Sequence, residues 1–352
     1  MPPPEIPIEL QEHVLDHLHD DQETLKSCNL VCRAWTWKSR RYFWRVVNPE
    51  KRRHCIRLLS ILEETAQLGA CVGDFVEEFR LPKMGFPRRH SQSDLRCELL
   101  RSTARYFPML KFLNVKEFSI TSFLNHLRSE DEAFNMQEAV SSILDFRHLK
   151  AIQYDSVTVS DLDDLLQFHG AFPTVSALYM HRVDTKNNEN WMGDPLNTTS
   201  IQDFVARHRD GRICIEDLTG CICDIPVGRL SQFLNTLTAP PFELRIKRLS
   251  WAMAPHRWGS FLPILLHMFR RAESTLEHFE LPFSADDSYV TMFWPSRHHR
   301  LKTLAFSFYF PTYVTPVWAY VSMWLQWVNP TSLPHWKQSN SAYTTETPLV
   351  VG

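Results

Sequence analysis

One phrase returns eight times between Val76 and Phe306: an apolar residue, two variable residues, a second apolar residue, one variable residue, then a third apolar residue. The copies are Val76-Phe79-Leu81, Leu110-Leu113-Val115, Leu149-Ile152-Tyr154, Val175-Leu178-Met180, Ile215-Leu218-Gly220, Ile246-Leu249-Trp251, Leu276-Phe279-Leu281 and Leu301-Leu304-Phe306. Their starts are 25 to 40 residues apart, too irregular for a fixed-length array and too regular for chance clusters. Successive side chains of a strand point to opposite faces, so the last two apolar positions of each phrase enter a core and the variable residues beside them face out. The Ile215 copy is the weakest, because Gly220 leaves its last slot empty.

Helical stretches separate the phrases. Ser160 to Phe168 has helical apolar spacing behind a Ser160/Asp163 cap, and Trp258 to Arg271 is a longer apolar run. Strand, crossover helix and strand in the same direction predict an α/β fold, with parallel strands on one layer and helices behind them. Such a unit cannot bury its own apolar face, so the units are expected to stack into a solenoid with strands on the concave face and helices on the convex face.

The first fifty residues have a different texture, with helical spacing and few strand formers. Leu10, Val14, Leu15 and Leu18 form one face of a helix that begins at Pro7, and Glu9, Gln11, Glu12 and Asp16 lie around the other side. Asp20 with Glu23 has capping-box spacing and predicts a second helix. Leu25, Cys28, Leu30, Val31, Cys32 and Trp35 supply its apolar content and that of a short third helix. The expected organisation is a helical module over 1–48, a linker helix over 49–70, repeats over 71–310, an aromatic cap over 311–337 and an unstructured tail over 338–352.

Composition narrows the function. Among 352 residues, 38 Lys and Arg face 40 Asp and Glu, so no global field draws the chain to a phosphate backbone, and nucleic acid is not an expected partner. The basic clusters Lys51-Arg52-Arg53, Arg88-Arg89-His90 and Arg270-Arg271 read as solvated faces. Only 10 glycines are present, and no glycine-rich phosphate loop, nucleophile elbow or His-Glu-x-x-His pattern occurs. No catalytic set, cofactor or metal site is expected, and the chain reads as a non-enzyme. His13, His17 and His19 read as solvated side chains on the polar side of the first helix, and Cys214, Cys221 and Cys223 lack a partner pair at zinc-site spacing.

The eight cysteines read as free thiols of a reducing compartment. The opening residues lack the basic segment and apolar core of a secretory signal. Pro316 and Pro330 leave 13 residues between them in the long uncharged stretch from Thr303 to Trp336. That is about 20 Å of helix, short of the ~30 Å of a bilayer core, so no membrane partner is expected and the location is read as cytoplasmic, nuclear or both.

Residues 6–44 resemble an F-box: Ile6-Pro7-Ile8-Glu9-Leu10, then Val14, Leu15 and Leu18, then Leu25, Cys28-Asn29-Leu30-Val31-Cys32-Arg33-Ala34-Trp35, and last Phe43-Trp44. Ile6 stands where such sequences usually carry Leu. The phrases that follow resemble the irregular leucine-rich repeats of F-box proteins abundant in basidiomycete fungi. They depart from many such repeats in the slot three residues after the last apolar position, which holds Phe118, Val157, Val183, Cys223, Ala254, Ser284 or Tyr309 instead of Asn.

The resemblance implies a substrate-receptor subunit of an SCF-type ubiquitin ligase, which docks on a Skp-type adaptor and through it on a cullin, and performs no chemistry itself. The implied adaptor-binding residues are Ile6, Pro7, Leu10, Val14, Leu15, Leu18, Leu25, Leu30, Val31, Cys32 and Trp35. From periodicity alone, that stripe reads equally as the core of a helical domain resting on the repeats; the resemblance favours docking. A client protein of unknown identity is expected on the outward residues of the strands: Phe112, Asn114 and Lys116; Gln153 and Asp155; Tyr179 and His181; Arg248 and Ser250; His278 and Glu280. The alternative is an interaction scaffold that acts outside a ligase.

Overall fold

The computed structural model describes residues 7–69, 71–81, 99, 102–129, 146–160, 162–170, 172, 174–185, 213–221, 227–237, 242–252, 258–283, 298–308 and 349–351. Ile6, all of the 311–337 segment and most of the 338–352 segment lie outside these residues. The elements are α1 (Ile8–His17), α2 (Gln22–Cys28), α3 (Arg33–Arg45), β1 (Val46–Val47), α4 (Arg52–Gln67), a 3-10 turn (Val72–Phe75), β2 (Glu78–Leu81), β3 (Phe112–Lys116), α5 (Ile120–Ser129), β4 (Ala151–Asp155) and β5 (Thr158–Val159). They continue as α6 (Leu162–Gly170), β6 (Ala177–His181), β7 (Asp184–Thr185), β8 (Ile213–Cys221), α7 (Val227–Thr236), β9 (Phe242–Ala252), α8 (Trp258–Arg271), β10 (His278–Phe283), β11 (Thr303–Phe308) and β12 (Leu349–Val351). The fold is α/β, with strands and helices alternating as expected.

Two compact units are present, and the chain passes between them within β4, after Ile152; Ser119–Thr121 belong to the second. In the first, β1, β2 and β3 run parallel, with Val47 opposite Phe79 and Phe79 opposite Leu113. The β1 strand was not anticipated: it is two residues long and ends a helix, so it leaves no alternation to read. In the second unit β6, β8, β9, β10 and β11 are parallel neighbours in that order, and Leu178, Leu218, Leu249, Phe279 and Leu304 stand opposite one another across the strands. In these five copies the middle apolar residue of each phrase is thus stacked on that of the next. Those residues are all 3 % exposed or less. Each buried aliphatic or aromatic side chain contributes roughly 1.5–3 kcal/mol, so this row forms the spine of the core. Behind it lie Leu165, Leu166 and Phe168 of α6, Leu230, Phe233 and Leu234 of α7, and Leu265, Met268 and Phe269 of α8.

The empty slot at Gly220 is not empty. Gly220 pairs with Trp251, and a Cβ added there would meet the indole at 2.5 Å. The neighbouring strand fills the space, so a small residue on β8 and a large one on β9 are one packing decision.

The slot lacking Asn has its own geometry. Glu117, Ser156 and Arg182, two residues past the last apolar position in three successive copies, adopt positive φ of 45°, 56° and 55°. The left-handed residue turns the chain so that the next side chain points inward: Phe118, Val157 and Val183 are buried. Short parallel contacts follow, Ser119 beside Thr158 and β5 beside β7. Apolar residues thus take the inward place where asparagine was absent.

One residue after the first apolar position, a row of charges runs across the strands. Lys111 pairs with Glu77 at 3.0 Å, Lys247 with Glu216 at 2.9 Å and Lys302 with Glu277 at 2.6 Å. Exposed pairs contribute only ~0.2–1 kcal/mol each, so their weight is in strand register rather than in stability. Two local expectations are corrected. The cap of α2 is Asp21, whose carboxylate accepts from the Thr24 N–H at 3.0 Å, not Asp20. Leu349–Val351, expected in an unstructured tail, pairs antiparallel with β11, where three β-forming residues meet an open strand edge.

Candidate functional site

The first candidate site is the outer surface of α1 to α3. At 100° per residue, Leu10, His13, Val14 and His17 share one face of α1, while Gln11, Glu12, Leu15 and Asp16 share the opposite one. The second set meets α3. The Trp35 indole N–H donates to Gln11 Oε1 at 2.7 Å, Lys38 Nζ reaches Asp16 at 2.8 Å and Glu12 at 3.3 Å, and the Tyr42 hydroxyl donates to Asp16. The hydrogen bonds from Lys38 and then Tyr42 hold the Asp16 carboxyl below the usual carboxylate range. The polar side of α1 is therefore the side attached to the protein.

The apolar side is open. Leu10 is 57 % exposed and Val14 49 %; at the corner between α2 and α3, Leu30 is 88 % and Val31 63 % exposed. Pro7 and Cys32 are also exposed, and Leu18 and Trp35 are half-buried. That corner is held by Thr36, whose hydroxyl donates to the carbonyls of Asn29 and Cys32. Leu15 and Leu25 do not join this surface. They are 1 % and 0 % exposed, and with Cys28 they form the core between the helices. The correction is physical: a three-helix module needs some apolar contact of its own, and these two side chains turn inward. His13 and His17 are solvated as expected, but they lie on the face of Leu10 and Val14 rather than among the acids.

The second candidate site is the outward face of the strands. In the first unit Phe112 and Asn114 are half-buried and Lys116 is exposed. In the second, the expected residues contact one another. His181 Nδ1 lies 2.9 Å from Asp155, the Ser250 hydroxyl donates to Glu280 at 2.8 Å, and Arg248 stands opposite His278. Gln153 is half-buried on the same strand as Asp155.

The centre of this arrangement was missed. Asp217 of β8 accepts from the Tyr179 hydroxyl at 2.9 Å and lies 3.7 Å from Arg248. Burial raises its carboxyl above the usual range, against the pull of Tyr179 and Arg248. Burial, with Asp217 beside it, pushes the Tyr179 hydroxyl up to about 12, and burial, then Arg248, lowers His278. Asp217 and Thr219 occupy the same outward slots in the Ile215 copy that Arg248 and Ser250 occupy in the next one; the phrase itself was the signal, had its weakest copy been read like the others.

This face offers hydrogen bonds and mixed charge to a ligand, but the described residues hold no group of three or more His, Cys, Asp or Glu able to close on a metal ion. No described helix is long and apolar enough to cross a membrane. No protein-family model matches the chain, and no curated protein matches it.

Proposed function

We propose that the chain is a non-catalytic substrate receptor of an SCF-type ubiquitin ligase, in which α1 to α3 act as an F-box that docks on a Skp-type adaptor bound to a cullin. The observation that carries this reading is the inverted helix: α1 ties its polar side to α3 and leaves Leu10 and Val14 open. With Leu30 and Val31, these are the aliphatic anchors a helical docking interface uses at its centre. The leucine-rich-repeat-like strands, stacked as a solenoid, then present a client protein on their outward face. Its polar character, from Asp155 to Glu280, suits recognition of a protein epitope. Rate enhancement comes from holding the client beside the charged ubiquitin carrier, which raises its local concentration. Such a receptor works in the cytoplasm or nucleus.

The test is capture of a Skp-type adaptor and a cullin by the full chain. Recovery of both supports the ligase reading. Adaptor without cullin supports a scaffold outside the ligase, and capture of neither overturns adaptor docking.

A further inference from the structure

We propose that His13 and His17 together hold one first-row transition-metal ion, of the zinc or copper(II) class, on the open face of α1. The two residues are one helical turn apart and both exposed. Their Nε2 atoms approach to 3.3 Å, and their rings meet edge to face with centroids 4.6 Å apart. Two imidazole nitrogens bound to one zinc ion at ~2.05 Å in tetrahedral array stand about 3.3 Å apart, so the pair already has the spacing that chelation requires. The alternative use of this geometry, a hydrogen bond from one Nε2–H to the other Nε2, is exposed and competes with water, so it adds little to the fold.

Nothing from α3 obstructs the position, since its polar contacts go to Gln11, Glu12 and Asp16 on the far side of the helix. Acids around the helix, among them Glu9 and Asp20, favour a cation. Binding needs no oxidant or reductant: the ring that carries its proton on Nε2 takes the Nδ1–H tautomer by exchange with water, and both Nε2 lone pairs become ligands. No third His, Cys, Asp or Glu among the described residues completes the set, so water fills the other positions. The site is therefore an open, exchangeable one.

Its place on the helix gives it a consequence, which rests on the docking reading above. His13 and His17 alternate with Leu10 and Val14 on one face, so a hydrated ion there occupies the surface that the adaptor would cover. Metal and adaptor compete.

Full-length chain freed of any histidine tag is titrated with Zn²⁺ by calorimetry and with Cu²⁺ by electron paramagnetic resonance. One ion per chain with two nitrogen ligands is expected. H13Q and H17Q should each weaken binding by about tenfold or more, while H148Q, at an exposed histidine elsewhere, leaves it unchanged. Binding that survives in both H13Q and H17Q overturns the site. Adaptor capture with and without Zn²⁺ then separates the two ideas. Zinc should weaken capture by the wild type and not by H17Q, and L10A should lose capture while keeping the metal. Metal bound at the pair with no effect on capture leaves the site standing and overturns competition at the docking face.

Discussion

The strands and the first helix solve the same problem in opposite ways. Along the strands every phrase turns its apolar side inward, and residues such as Asp217, Arg248 and Glu280 stay outside. Helix α1 ties Gln11, Glu12 and Asp16 to α3 beside the buried Leu15 and leaves Leu10 and Val14 outside. The strand arrangement is what folding alone selects. The helix arrangement gives up roughly 1.5–3 kcal/mol for each large apolar side chain left in water, and gains surface ion pairs worth less than ~1 kcal/mol each. Monomer stability alone does not explain that exchange, which the proposed adaptor docking would account for.

The contrast is sharpest where burial is deepest. Leu249 is fully buried in β9, opposite both Leu218 and Phe279, and its replacement by Ala should cost ~2–5 kcal/mol, read as a lower urea midpoint at unchanged slope. A loss below 1 kcal/mol would mean that the stacked row is not the spine of the second unit.

Acid should break the same unit next. His169 is fully buried, its Nδ1 3.5 Å from the Tyr154 hydroxyl and its ring stacked on Phe242, and burial lowers its pKa to about 4. The unfolded chain therefore takes up this proton near the ordinary value of 6.5, before the folded one does. Stability is fully present above that value, falls as pH drops from 6.5 towards 4, and levels off below, for a loss of about 3 kcal/mol. His169→Phe should flatten that stretch of the stability–pH curve; an unchanged slope would assign the acid loss to other groups.

Gly220→Ala tests whether the phrase or its neighbour decides a slot. The added methyl meets the Trp251 indole, and a cost of ~1–3 kcal/mol is expected, recovered at least partly by pairing it with Trp251→Leu. The same position shows how legible the fold was. Val76, Phe79 and Leu81, or Leu110, Leu113 and Val115, could be read because strand periodicity is local, and all six are buried. Gly220 could not, because what fills its place comes from a strand some thirty residues on. For α1 the sequence marked an amphipathic helix but not which face would be covered, since Lys38 and Tyr42, the partners that decide it, lie on another helix. Asp217 was readable by its slot, although its copy of the phrase ends in glycine and is the weakest.

In the helical region the effects shrink. Asp21→Ala removes the cap that holds the Thr24 N–H and hydroxyl and should cost ~1 kcal/mol, while Asp20→Ala, on the residue that the spacing favoured, should cost less. Equal losses would show that capping does not fix the start of α2.

The smallest effect on stability is the most telling. Leu10, Val14 and Leu30 are among the most open aliphatic side chains of α1 to α3, and none is part of the core. Replacing all three by Ala should leave the urea midpoint within about 0.5 kcal/mol of the wild type, as expected for exposed positions without partners to lose. In the strands, three aliphatic residues removed at once would unfold the protein. If the triple variant stays folded and no longer captures the adaptor, the apolar side of α1 is a binding surface. If it unfolds, Leu10, Val14 and Leu30 are covered in solution by the protein itself, and the inversion that separates α1 from the strands disappears.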